Sequence, residues 1–133
     1  MMDVYADLHI HIGRTEKGNA VKITGSKTLT LRNILQFASS RKGLDMIGVI
    51  DCHVPEVLNE IDELIQQGKL TELTGGGLRF RQTTLILGSE IEIYDPQCLG
   101  PIHVLTYFQT LEKMRDFSQW MSHHVKNISL STQ

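Results

Sequence analysis

The alternation of apolar and polar residues over Val4–Ile12, with β-branched types among them, predicts a strand. Gly13–Thr28 is polar and basic and holds three glycines (Gly13, Gly18, Gly25), which predicts a long loop. Loops of this length inside a domain are usually functional or mobile. Thr30 is placed to cap a helix from Leu31 to Lys42, with Leu31, Ile34, Leu35 and Ala38 on one face and Gly43 as the stop. Met46–Ile50 is a short continuous apolar run, the mark of a strand buried on both faces. A second helix follows, with Pro55 in its first turn, a stripe of Val57, Leu58, Ile61, Leu64 and Ile65, and Gly68 at its end. Thr74–Gly77 reads as a turn, too short and without the Lys-Ser/Thr ending of a phosphate-binding loop. Thr83–Leu87 and Glu90–Tyr94 read as strands, His103–Phe108 as another buried strand, and Thr110 caps a third helix over Leu111–His123. Buried strands alternating with helices predict an α/β fold with a mostly parallel sheet.

The 133 residues suit one domain, 1–133. A composition of 41% hydrophobic and 21% charged residues argues against disorder. No apolar run approaches the ~18 residues of a membrane span. Met1-Met2-Asp3 lacks the layout of a signal peptide, so a cytoplasmic chain that meets no membrane is expected. Two cysteines, Cys52 and Cys98, make no disulfide framework. A net charge of −2 argues against a chain built mainly to coat nucleic acid. The charge is nonetheless uneven. Residues 13–44 hold seven Lys/Arg against Glu16 alone, and residues 45–72 hold seven acids against Lys69 alone. A basic face suits phosphates, although two adjacent segments can also simply solvate opposite faces.

The histidines carry the chemistry. His9 and His11 lie two apart at the carboxyl end of the first strand and so share a face. Asp51 and His53 lie just past the second buried strand, Glu90 and Glu92 alternate on a later one, and His103 begins the next. In α/β folds, ligand groups gather at strand ends. Each piece has an ordinary explanation: Asp51, for instance, suits a helix cap near Pro55. Together, imidazoles and carboxylates at several strand ends point to zinc, manganese or iron. Metals held close by shared carboxylates suit phosphate ester hydrolysis. His123 and His124, near a helix end, suit contacts with that terminus and with solvent, and Cys52 a small buried spacer.

The strings Asp7-Leu8-His9-Ile10-His11, Ile50-Asp51-Cys52-His53, Gly88-Ser89-Glu90 and His103-Val104-Leu105 resemble the motifs of the PHP (polymerase and histidinol phosphatase) family. The resemblance implies the N-terminal part of a distorted seven-stranded (β/α) barrel, mostly parallel, with a centre of up to three divalent metals, magnesium included. It carries His9, His11, Glu90 and His103 over as ligands. The second motif usually runs Thr-Asp-His; here a residue intervenes, so either Asp51 or His53 is the ligand. Glu16, five residues past His11, falls where some members place an acidic ligand. Within the family the resemblance is to the amino-terminal part of the endonuclease Q group. Ala6–Arg14, Lys22–Ser26, Arg41–Asp51 and Asn127–Gln133 carry it.

That likeness implies metal-assisted phosphodiester hydrolysis on the 5′ side of deaminated bases, and at abasic sites. The lesion base would leave the stack to be read. Arg14, Lys17, Lys22 and Lys27 then become candidate DNA contacts. The family barrel normally continues further and supplies a late Asp-x-His motif, which does not follow His103 here. A truncated PHP domain is therefore expected, with an open strand edge that a second copy would cover in a homo-oligomer. A small-molecule phosphatase is the alternative enzyme. An inactive metal-binding or interaction fragment is the alternative outside catalysis.

Overall fold

The structure, a computed structural model, describes residues 2–129, so Leu130–Gln133 at the end of the last family-like string lie outside it. Among the described residues the order is β1 (Ala6–Ile10), α1 (Leu31–Ser40), β2 (Met46–Val49), α2 (Pro55–Gln66), β3 (Thr71–Glu72), β4 (Leu78–Phe80), β5 (Thr83–Ile93), β6 (Ile102–Phe108) and α3 (Leu111–Ser122).

The strands form one six-stranded sheet, ordered β1-β2-β5-β4-β3, with β6 also paired to β5. The α/β class holds, but the sheet is mixed rather than mostly parallel. β2 runs parallel to β1 and β5, whereas the β3–β4, β4–β5 and β5–β6 pairings are antiparallel. The reason lies in the connections. α1 and α2 sit in the long crossovers that parallel neighbours need, while β3 to β6 are joined by turns that can only return the chain antiparallel.

The helices follow the predicted stripes. α1 buries Leu31, Ile34, Leu35 and Ala38, and the Thr30 hydroxyl accepts from Asn33 N–H as its cap. α2 buries Val57, Leu58, Ile61 and Leu64. Its N-cap is Val54, which makes no side-chain cap, so Asp51 does not serve there. Thr110 caps α3. These faces pack with Ile47, Val49, Leu85 and Leu87 into one core. No helix among the described residues is long and apolar enough to cross a membrane.

β6 is not the buried strand expected over His103–Phe108, since all its residues are exposed or half-buried. Three further features differ from expectation and shape the site. Thr83–Leu87 and Glu90–Tyr94 are one strand, β5, whose pairing with β6 is unbroken from Leu87↔Phe108 to Ile93↔Ile102. β1 is a short edge strand, exposed over Ala6–His9, and its register shifts between Asp7 and Ile10. That shift depends on Gly48 in β2: a Cβ there would stand 2.8 Å from the Leu8 carbonyl oxygen. The loop after β1 is compact. Gly13 N–H donates to Leu29 O at 2.8 Å, Val21 N–H to Gly13 O at 2.9 Å, and Ile12 and Val21 are fully buried.

Candidate metal centre

Glu90 lies in the second half of β5, where β6 flanks the strand and the segment after β2 bonds its other edge. Glu90 N–H donates to Ile50 O at 2.9 Å, and Cys52 N–H to Gly88 O at 3.0 Å. Three histidines converge on the Glu90 carboxylate. Oε2 accepts from His9 Nε2 at 2.9 Å and lies 3.4 Å from His11 Nε2. Oε1 accepts from His103 Nδ1 at 2.8 Å. His103 stands opposite Glu92 in the ladder, so it meets Glu90 diagonally, two residues along. His9 and His11 approach from β1 and the residue just past it, their rings 5.5 Å apart.

His9, His11 and Glu90 each offer a ligand atom, all within 4.8 Å of one another. Imidazole nitrogen with carboxylate oxygen suits zinc, manganese or iron, so the residues present fit a divalent metal. Burial opposes the Glu90 charge, but hydrogen bonds from His103 and His9, with His11 nearby, hold its carboxyl below the usual range. The carboxylate is thus charged and ready to ligate at neutral pH.

Asp51 sits behind this group. It is 2% exposed, and its Oδ2 accepts from Ile12 N–H at 2.8 Å and from His11 Nδ1 at 3.1 Å. A carboxylate on the far nitrogen of a ligand histidine fixes its tautomer and raises its basicity. His53 is held on the neighbouring strand by Ser89, whose hydroxyl lies 2.8 Å from Nδ1. Burial pushes the His53 pKa down, with Asp51 opposing and His11 adding to the fall. Neither Asp51 nor His53 belongs to the 4.8 Å group.

The structure takes Glu16 elsewhere. Its carboxylate accepts from the Thr30 hydroxyl at 2.8 Å, and its backbone N–H donates to Glu60 in α2. The basic candidates divide. Arg14 donates to Gly18 O at 3.1 Å, Lys17 pairs with Glu63 at 3.2 Å, Lys27 is exposed, and Lys22 reaches into the centre. The basic and acidic segments therefore meet in part, loop against α2. His124 donates to Trp120 O at 2.7 Å and stacks on that indole, as its place near a helix end suggests. Cys52 is buried, and its thiol is pushed up to about 12 by burial, which disfavours a free thiolate nucleophile there.

No family model matches the chain. It is 61% identical, over all 133 residues, to the uncharacterised protein YqxK of Bacillus subtilis (strain 168), and spans 34% of that relative's length. In structure it is similar to the lesion-specific endonuclease PfuEndoQ of Pyrococcus furiosus. The TM-score is 0.67 at 26% identity, over 95% of this chain and 27% of that one. It is likewise similar to an endonuclease Q in complex with a 27-mer duplex substrate bearing an abasic lesion at the active site. There the TM-score is 0.67 at 25% identity, over 98% of this chain and 30% of that chain.

The sequence did not reveal Ser89 as the partner of His53, or Tyr107, whose hydroxyl donates to Leu8 O across the sheet. Tyr107 lies in no recognisable spacing, and Ser89, although inside the Gly88-Ser89-Glu90 string, carries no mark there of its bond to His53. Gly88, opposite Tyr107 in the ladder, was the available signal: a Cβ there would stand 3.0 Å from the Tyr107 ring.

Proposed function

We propose that the chain carries the metal-binding part of a PHP-type phosphodiesterase that nicks DNA at deaminated or abasic sites. The observation that supports this best is the sharing of Glu90: one oxygen faces His9 and His11, the other His103. A carboxylate turned to two sets of imidazoles suits a bridge between neighbouring metal positions, and the similarity to endonuclease Q points to a phosphodiester as the bond cut. His9, His11 and Glu90 would hold one ion, with His103 on the other oxygen of Glu90. A bound metal supplies a lowered pKa for its water and polarises a phosphoryl oxygen.

The chain's own residues do the rest. Asp51 keeps the proton of His11 on Nδ1 and leaves the Nε2 lone pair for a ligand role. Glu90 stays anionic. His9 and His103 are 56% and 46% exposed, against 14% for Glu90, so the centre opens on a face of the molecule. An open face admits a polymer backbone and favours DNA over a small phosphate ester. Arg14 and Lys27, with Lys22 beside the centre, lie in the loop after β1 and would be the residues to meet phosphates.

The test is strand nicking of a duplex with one abasic site or one deoxyuridine, in the presence of manganese or zinc. The wild-type chain is expected to cut and Glu90→Gln to lose cutting. Cutting that survives in Glu90→Gln, or that needs no metal, contradicts the reading.

A further inference from the structure

Lys22 enters the centre from the loop after β1, with its ammonium 3.0 Å from His11 Nε2. An ammonium only donates, so His11 Nε2 accepts, and the ring proton sits on Nδ1, facing Asp51 Oδ2 at 3.1 Å. That Nε2 lone pair is the one a metal ion would take, with Glu90 Oε2 3.4 Å away. A lone pair cannot serve a lysine and a metal together. The backbone at Lys22 is fixed: its N–H donates to Gly13 O at 3.3 Å, and its carbonyl accepts from Gly25 N–H at 3.0 Å. Next to it Val21 is fully buried, and Gly25 packs so closely on Gly13 that a Cβ would stand 2.8 Å from Gly13 Cα. Only the flexible four-carbon side chain is left to move. Lys17 and Arg14, in the same loop, are engaged with Glu63 and Gly18 instead.

We propose that Lys22 is a built-in competitor of the metal: its ammonium holds the His11 lone pair beside Glu90 when no ion is bound, and yields it when one binds. The inference rests on the metal-centre reading above. It gives Lys22 two positions. In the first, the positive charge offsets Glu90 and keeps the imidazoles arranged without an ion. In the second, the displaced ammonium remains within a side-chain length of the centre, where a substrate phosphate oxygen would find it. Lys22 is in this sense a positioning residue that sets metal affinity.

The test measures zinc binding to the whole chain by calorimetry at neutral pH, without substrate. Lys22→Met and Lys22→Gln are compared with wild type and with Lys69→Met, which removes the same charge from an exposed turn after α2. Both Lys22 variants are expected to bind zinc about tenfold more tightly than wild type, with Lys69→Met unchanged. The Lys22 ammonium resonance of the wild type is expected to shift as zinc is added. Circular dichroism checks that the variants fold. Equal or weaker zinc binding in both Lys22 variants overturns the inference and leaves the metal centre standing. Absence of zinc binding in every protein overturns the metal centre and the inference with it.

Discussion

Asp51 illustrates how the centre is built at the scale of single residues. One of its oxygens serves both Ile12 N–H and His11 Nδ1, so in the proposed centre this buried carboxylate would position His11. Removing its charge while keeping its shape should loosen His11 without emptying the site. Asp51→Asn is expected to weaken zinc affinity by about 10–100-fold, the range for partners of metal-bound histidines. His9→Ala removes a proposed ligand atom and should cost more, and a titration of both variants checks the ranking. Away from the centre, burial pushes the Glu60 carboxyl above its ordinary range, with the Glu16 N–H opposing and Glu16 and Glu63 adding to the rise. A carboxyl raised on folding favours the protonated native state, so its contribution is full at low pH. It is lost as pH rises from the ordinary range through the native value. Glu60→Gln should therefore melt higher than wild type at neutral pH, with the gap closing as pH falls into the ordinary carboxylate range. Melting curves across pH check this, and an unchanging gap would contradict it.

Elements bring these residues together through β5 and the two glycines that let neighbours approach it. Gly48 admits the Leu8 carbonyl, and Gly88 admits the Tyr107 ring, whose hydroxyl then bonds Leu8. Gly48→Ala is expected to destabilise the fold by roughly 1–3 kcal/mol, as overpacking does, and to weaken metal binding by shifting His9. Denaturant unfolding and a zinc titration on one variant measure both effects. Periodicity made α1, α2 and α3 legible because each buries a stripe long enough to repeat. β3 and β4 escaped for the opposite reason. β3 has two residues, and in β4 the buried Leu78 and Phe80 flank a single exposed Arg79, too little to show a period. Only the Gly75-Gly76-Gly77 run marked their turn. β5 read as two strands because Gly88 and Ser89 interrupt its apolar pattern, although their backbone stays in the ladder.

Across the whole molecule, His9, His11 and His103 all come to Glu90, which lies within β5 and not at the strand end that the sequence pattern suggested. The direction of β6 was not legible, because side-chain pattern does not distinguish a hairpin from a crossover. Glu16 fell to the acidic side of α2 because its loop folds back on Gly13 and Leu29, a path set by backbone bonds and invisible in residue type. β1 pairs with β2 on one edge. Beside it lies an apolar cavity of about 420 Å³ lined by Ile10, Leu29, Ile34, Phe37 and Leu44 among others. The self-association expected from the sequence concerned instead the open edge of the last strand, β6, which pairs with β5 alone among the described residues. Light scattering at micromolar concentration should report a dimer or larger species, and a strictly monomeric chain would contradict it. An anomalous-difference map from crystals grown with zinc tests the location of the metal most directly. The account predicts a peak between His9 Nε2, His11 Nε2 and Glu90 Oε2. A map with no peak there, or with zinc only at His123 and His124, would contradict it.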